Sequence, residues 1–340
     1  MDTRGNGGKN NNQTIKDVAQ ALNVSTTTVS RAISGKGRIS EETVRRVREY
    51  IQENNYVPNA IAQSLADQRT YNIGFLVPGV EAVASQSFFR GCLTGLCQAL
   101  ADTSYDVLMI LEDGGGSRLA RALEKRKLDG AIVSRALTDD RACAQLTRAG
   151  VPFVLIGSSP DRTVCQVDHD HRSACAGLTR RLLTGRRKLA LLGGDQRLFV
   201  TQDRLQGFLD AHREAALPVA DSQLYFDLDR GPRVAAALDA ALADGAQCLV
   251  CMDDQIAGVV LSLLHHRELR IPQDIQVASF YDSFLLETYT PAITALQFDA
   301  QALGAAACRL LLDQLEGREL SEIELVGHSI ALRASTEPDI

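Results

Sequence analysis

From residue 73 onward the chain keeps repeating one unit, a short unbroken apolar run followed by a longer stretch with helical spacing. The first series of runs is IGFLV (73–77), YDVLMIL (105–111), GAIVS (130–134) and PFVLIG (152–157), with helical stretches around 85–102, 116–127 and 139–149 between them. Runs this short and continuous describe strands covered on both faces, and helices between such strands impose a parallel sheet. A second series follows, VCQVD (164–168), KLALLGG (188–194), QLYF (223–226), QCLVC (247–251) and IQVASF (275–280), with helices near 171–184, 202–215, 232–243 and 255–267. Together they are too much for one sheet, so the pattern predicts two Rossmann-like α/β halves in tandem. After Pro291 come a further strand, a helix at 300–316 and a strand pair near 323–334. These fit if the chain crosses back into each half.

Residues 14–65 follow different rules. Thr14 stands as N-cap of a helix whose apolar set is Ile15, Val18, Ala19 and Leu22. Asn23 and Val24 make a short turn, Asn tolerating a left-handed backbone. Ser25 then caps a second helix, residues 26–33, apolar at Val29, Ala32 and Ile33 and polar at Thr27, Ser30, Arg31 and Ser34. Ser40 caps a third, with Glu41 and Glu42 at its positive end and Val44, Val47 and Ile51 on its packing side. Two short helices on so tight a turn describe an all-α helix-turn-helix. A small bundle with no partner is the competing reading. Against it, the second helix exposes hydroxyls and an Arg rather than charges of mixed sign. Arg bonds guanine O6 and N7 together, and Thr offers a base edge either a hydroxyl or a methyl.

Charge supports the division. Residues 1–70 hold ten Lys and Arg against seven Asp and Glu, a net +3, which leaves −9 for the rest of a chain at −6 overall. A basic head on an acidic body suits a DNA-binding module joined to a sensor. No apolar run reaches membrane-spanning length, and the polar start MDTRGNGGKNNNQ lacks a signal peptide's apolar segment. A cytoplasmic protein is expected, with residues 1–13 a disordered arm.

Enzyme signatures are weak. Gly193-Gly194-Asp195 and Gly114-Gly115-Gly116 form neither GxGxxG nor a P-loop, and no HExxH or zinc spacing occurs. Cys248 and Cys251 have CxxC spacing, but QCLVC reads as a buried strand with inert thiols. No enzyme activity, cofactor or metal is expected. A nucleotide-dependent enzyme or a free solute-binding protein is the alternative class, and neither needs residues 14–65.

The motifs TIKDVA, VSTTTVSRAISGKGRIS and YVPNAIAQSL, in that order, resemble the DNA-binding signature of the lactose-repressor family of transcription regulators. The resemblance continues through Ile73-Gly74, Leu128-Asp129-Gly130, Val167-Asp168, Arg204-Leu205-Gln206-Gly207-Phe208 and Cys251-Met252-Asp253-Asp254-Gln255. It implies a repressor whose residues 14–57 bind DNA. Residues 58–70 would be a hinge helix and linker, with Asn59 and Ala62 facing DNA and Leu65 wedging a base step. Residues 71–340 would be a periplasmic-binding-protein-like effector and dimerisation domain. Its N-subdomain would cover about 71–162 and 298–320, and its C-subdomain about 163–297 and 321–340. The partners implied are a pseudo-palindromic double-stranded operator, a second copy of the chain and a small-molecule effector.

Residue roles follow. Thr26, Thr27 and Arg31 are expected at base edges, with Thr14, Ser25, Thr28, Ser30, Lys36 and Ser40 positioned on phosphates. In α/β halves of this kind strand C-termini point at the crevice between them. This makes Phe88 and Phe89 apolar platforms and Ser134, Asp170, Arg204 and Asp253 polar partners. Each has a plainer alternative: core for the two Phe, helix capping for Asp253, an exposed helix position for Arg204. The chain also departs from the family. Gln86-Ser87 replaces the usual Asn-Pro before Phe88, Tyr281 stands where a ligand-binding Asp is common, and Phe298 replaces a polar contact. With Arg135 near Arg204, an effector that is a sugar or, given two cations, a sugar phosphate is expected. The C-terminal residues carry no Leu heptads, so a dimer is expected rather than a coiled-coil tetramer.

Overall fold

The computed structural model describes residues 13–34, 37–54, 56, 64, 67–79, 87–112, 115–185, 187–228, 231–318 and 323–336. The chain divides into two units, residues 1–70 and 71–340. The arm at 1–12, Lys36, Asn59, Ala62 and Leu65 lie outside the described residues.

The described residues of the first unit include the helices α1 (Ile15–Leu22), α2 (Thr26–Ser34) and α3 (Glu41–Glu53). The Asp17 carboxylate accepts from both the backbone N–H (2.7 Å) and the hydroxyl (2.8 Å) of Thr14, fixing the start of α1. Those same bonds, the backbone one foremost, hold the Asp17 pKa below its ordinary value. Asn23 ends α1 at φ 53, the left-handed turn its short polar side chain tolerates. Ser25 accepts from Thr28 N–H at 3.0 Å and Ser40 from Thr43 N–H at 3.3 Å, so both hydroxyls cap their helices. Val18, Ala19, Val29, Ala32, Val47 and Tyr56 form the buried centre. Arg46 donates to the Leu22 carbonyl (3.1 Å) and ties α3 to the end of α1.

The second unit contains two six-stranded sheets, ordered β11-β5-β4-β3-β1-β2 and β12-β10-β9-β8-β6-β7. The first is made by β1 (Asn72–Val77), β2 (Asp106–Leu111), β3 (Gly130–Val133), β4 (Phe153–Ile156), β5 (Cys165–His169) and β11 (Ile323–Val326). The second is made by β6 (Leu189–Leu192), β7 (Leu224–Tyr225), β8 (Cys248–Cys251), β9 (Gln276–Ser279), β10 (Thr294–Phe298) and β12 (His328–Ala331). Neighbours are parallel except β10 and β12. The helices are α4 (Ser87–Leu100), α5 (Ser117–Glu124), α6 (Arg141–Ala149), α7 (His171–Leu182), α8 (Phe199–Glu214), α9 (Gly231–Ala243), α10 (Asp254–His266), α11 (Phe284–Thr288) and α12 (Ala300–Leu315). Apolar clusters lie on both faces of each sheet, as unbroken apolar strands require. Cys248 and Cys251 are fully buried in β8, and burial pushes the Cys248 thiol up to about 12, which leaves it protonated and inert.

The chain crosses between halves three times, at Asp170, Asp299 and Gly327. This corrects the expected subdomain boundaries near 162 and 320. Both β5 and β11 pair within the first sheet, Ile323 beside Gln166 and Val326 beside His169, so each crossing follows its strand instead of preceding it. Asp170 and Asp299 start the two crossing helices, α7 and α12, accepting from Ser173 N–H at 2.9 Å and Ala302 N–H at 2.8 Å. Each crossing helix is clasped through glycine. A Cβ on Gly95 of α4 would strike the Gln301 carbonyl of α12, and one on Gly207 of α8 would strike the Arg172 carbonyl of α7. The last described residues lock onto the second sheet. Arg333 holds Asp282 through two bonds of 2.8 and 2.6 Å, and Ser335 donates to the Val277 carbonyl at 2.6 Å.

Candidate nucleic-acid interface and effector cleft

On α2, Val29 and Ala32 point into the core while Thr26, Thr27, Ser30 and Arg31 are exposed and Thr28 is half-buried. Gly37 has φ +96, and a Cβ there would stand 3.2 Å from Arg31 Cδ, so the Arg31 stem lies along this glycine. No spacing or motif signals that support. Thr14, Ser25 and Ser40 sit at the starts of the three helices, where backbone N–H groups attract anions.

A cleft of about 850 Å³ opens between the two sheets of the second unit, within the range of small-molecule sites. Its walls come from the C-terminal ends of strands: Pro78 and Gly79 after β1, Ser134 to Ala136 after β3, Ile156 and Gly157 at β4, and Asp168 and His169 at β5. The opposite wall carries Gly194 and Asp195 after β6, Thr201 and Arg204 on α8, Met252 to Ile256 after β8, and Tyr281 after β9. Several contacts already span it. Leu137 bridges Leu198 as antiparallel strand, with Thr138 N–H donating to the Arg197 carbonyl (2.9 Å) and Phe199 N–H to the Ala136 carbonyl (3.2 Å). Phe199 packs against the core of the first half. Ser87 donates to Asp254 at 3.3 Å, and the Phe88 and Tyr281 rings meet edge-on at 6.2 Å.

Most carboxylates of the cleft are occupied. Asp253 caps α10, accepting from Ile256 N–H at 2.8 Å, and Asp195 holds Arg197 at 2.6 Å. Asp168 faces His171 Nε2 at 3.4 Å. Burial opposes its charge, but the His171 ring and its hydrogen bonds outweigh burial and keep its pKa below the ordinary value. Asp254 is the opposite case. Burial, then the adjacent Asp253 charge, raise its pKa to about 6. Of the cations, Arg135 is paired with Glu112 at 3.0 Å, while Arg204, 8% exposed, donates from one nitrogen to the Met252 carbonyl. Ser134 Oγ, Arg204 Nε, His169 Nε2 and His171 Nδ1 are buried with no hydrogen-bond partner. Buried polar atoms left in that state cost free energy until something pairs with them.

Six of the eight expected cleft residues, Phe88, Phe89, Ser134, Arg204, Asp253 and Tyr281, line this cavity. Two of the plainer readings hold beside that, since Phe89 also joins the core and Asp253 also caps a helix. Arg204 is buried, not an exposed helix position. Two expectations need correction. Asp170 is exposed and spends its carboxylate on the α7 cap, because the chain crosses between halves at that residue. Phe298 stands one layer behind the wall. Its ring stacks on Tyr281 at 6.2 Å and packs against His169 at 4.8 Å and His171 at 4.6 Å. The residues missed are Asp168, His169, His171 and Asp254. The signal was an HDH triplet at a strand–helix junction, which marks a strand's C-terminal end.

Comparison with known proteins adds independent support. Residues 14–59 match the model of bacterial regulatory proteins of the lacI family, and residues 182–336 match a periplasmic binding protein-like domain. The HTH-type transcriptional regulator MalR of Staphylococcus xylosus is 30% identical over 334 residues, 95% of this chain and 98% of MalR. The regulator CelR of Thermobifida fusca is 28% identical over 322 residues, 92% of this chain and 95% of CelR. Among solved structures, a CelR–cellobiose complex superposes with TM-score 0.73 at 26% identity, covering 95% of this chain and 99% of that one. A lac repressor dimer bound to operator superposes at 0.79 and 22% identity over 95% and 99%, a likeness of fold. With both modules in the same order and a relative matched almost end to end, the chain belongs to the lacI family of bacterial regulatory proteins and is a DNA-binding transcription regulator.

Proposed function

We propose that this regulator is a cytoplasmic, non-catalytic, dimeric repressor whose hold on a pseudo-palindromic operator is set by an uncharged sugar bound in the cleft of residues 71–340. Thr26, Thr27 and Arg31 read bases. Thr14, Ser25, Thr28, Ser30, Lys36 and Ser40 position the module on phosphates, and Asn59, Ala62 and Leu65 complete the contact at the hinge. Phe88, Phe89 and Tyr281 supply apolar ring faces to the sugar, and Ser134, Arg204 and Asp253 its polar contacts.

The observation that carries the choice of an uncharged sugar is the charge inventory of the cleft. Arg135 is neutralised by Glu112, and Asp168, Asp195, Asp253 and Asp254 share the walls with Arg204. A phosphate would meet more repulsion than attraction there. CelR, similar along nearly its whole length, is solved with cellobiose. The effector acts only through its differential affinity for the two arrangements of the halves, a coupling of about 1–3 kcal/mol.

The test is selection of a duplex from a random library with the full chain, then titration of cellobiose, maltose and glucose 6-phosphate. A palindromic site whose affinity changes with an uncharged sugar is expected. Recovery of no preferred duplex sinks the operator reading, and a response to glucose 6-phosphate alone sinks the uncharged effector.

A further inference from the structure

His169 ends β5, beside the first crossing, and lines the cleft while only 2% exposed. Its Nδ1 lies 2.9 Å from the Val326 carbonyl, which accepts only, so Nδ1 carries the proton. Burial favours the neutral ring, holding its pKa below the usual imidazole value against the pull of the Val326 and Gly327 carbonyls. In this tautomer Nε2 is a bare lone pair, and it has no hydrogen-bond partner. Phe298 packs against the ring at 4.8 Å and His171 at 5.9 Å, so the ring is held in place.

We propose that His169 is a specificity-determining residue of the cleft, its Nε2 accepting a hydrogen bond from a hydroxyl of the effector. The inference rests on the sugar reading above and makes it sharper. A lone pair rewards a donor and repels an oxyanion, so at this point the site selects a hydroxyl over a phosphate or carboxylate. The hydroxyl in turn accepts from a donor, and Arg204 Nε, Arg135 Nε and Ser134 Oγ are unpaired donors among the described residues of the same cavity. A free hydroxyl is both donor and acceptor, as this mixture requires. Its bond to His169 also runs on through Nδ1 to Val326, the last residue before the third crossing, which links sugar recognition to the junction of the two halves.

The charged and titratable groups that act on His169 are Asp168 on its own strand and His171 on α7; Asp170 at the α7 cap, Asp203 on α8 and His328 on β12 surround those two, and Arg204 lines the same cavity. Protonating His169 turns the acceptor into a second donor. Sugar affinity should therefore be level through neutral pH and fall in acid, below the usual imidazole range.

The experiment is calorimetry of the full chain with cellobiose, maltose and glucose 6-phosphate from neutral to acid pH, on wild type, His169→Phe and His169→Gln. Folding of each variant is confirmed by thermal melting. Phe puts an aromatic ring without nitrogens in the imidazole's place, and should weaken sugar binding roughly 10- to 100-fold. Gln keeps an acceptor near the Nε2 position, so it should restore most of the affinity and make the acid fall shallower. Sugar binding that His169→Phe leaves unchanged, or an acid fall as deep in His169→Gln as in wild type, overturns the role of His169 while leaving the sugar reading intact. Tighter binding of glucose 6-phosphate than of either disaccharide overturns it too. Silence of both disaccharides in wild type overturns the sugar reading and this assignment with it.

Discussion

The exposed face of α2 and the wall of the cleft both present polar side chains, but water covers one and not the other. Thr26, Thr27, Ser30 and Arg31 stand in solvent and cost the fold little. Ser134, His169, His171 and Arg204 are buried, each with a polar atom unpaired, so the fold carries them at a cost. An exposed polar face therefore declares itself by composition, whereas a buried one declares itself by what it lacks. Substitutions on α2 should change binding and spare stability. Substitutions in the cleft should change both, in directions set by how well each group is paired.

Three arginines grade this contrast. Arg333 is half-buried and doubly bonded to Asp282. Arg333→Ala leaves that carboxylate without its partner and should lower unfolding free energy by about 1–3 kcal/mol in urea denaturation. A loss below about 1 kcal/mol would mean that burial with a partner matters less than argued. Arg204 is buried but only partly bonded. Arg204→Met should keep stability within about 1 kcal/mol, since an apolar side chain suits the site, while calorimetry shows sugar affinity down about 100-fold. Strong destabilisation with intact binding would reverse the assignment.

Asp254 tests the same contrast by pH. Its folded pKa, about 6, lies above the ordinary 3.8, so the folded protein binds this proton more readily than the unfolded chain. Its charge therefore costs stability above about pH 6, and the cost is relieved as pH falls through that value toward 3.8. Asp254→Asn should raise stability at pH 8 by on the order of 2 kcal/mol and remove that acid gain. Melting curves that keep the same pH slope would contradict it. On the exposed side of the contrast, Arg31→Ala should cost about 1–3 kcal/mol of operator binding and relax preference at one base pair. Its melting temperature should be that of wild type.

Legibility in the sequence followed the same divide. Helical spacing and the caps at Thr14, Ser25 and Ser40 placed α1 to α3 nearly to the residue, and the strands of both sheets fell on the apolar runs. The crossings were harder. Nothing local marks β5 as a member of the first sheet, because pairing of Cys165–His169 with β4 and β11 is a long-range fact. Shifting the crossing to Asp170 moves that side chain out to a helix cap and turns His169 and His171 into the cleft. Phe298 was misplaced for a related reason. An aromatic residue at a strand end can face a ligand or support the side chains that do, and only the packed rings around it decide.

The most direct test of the coupling between the two regions is operator affinity of the full chain, by fluorescence anisotropy, with and without a sugar that calorimetry shows to be bound. A shift of roughly 5- to 150-fold is expected, matched by an equal shift in sugar affinity when operator is present, and absent in Arg204→Met. Operator affinity that stays the same while the sugar occupies the cleft would contradict the account at its centre.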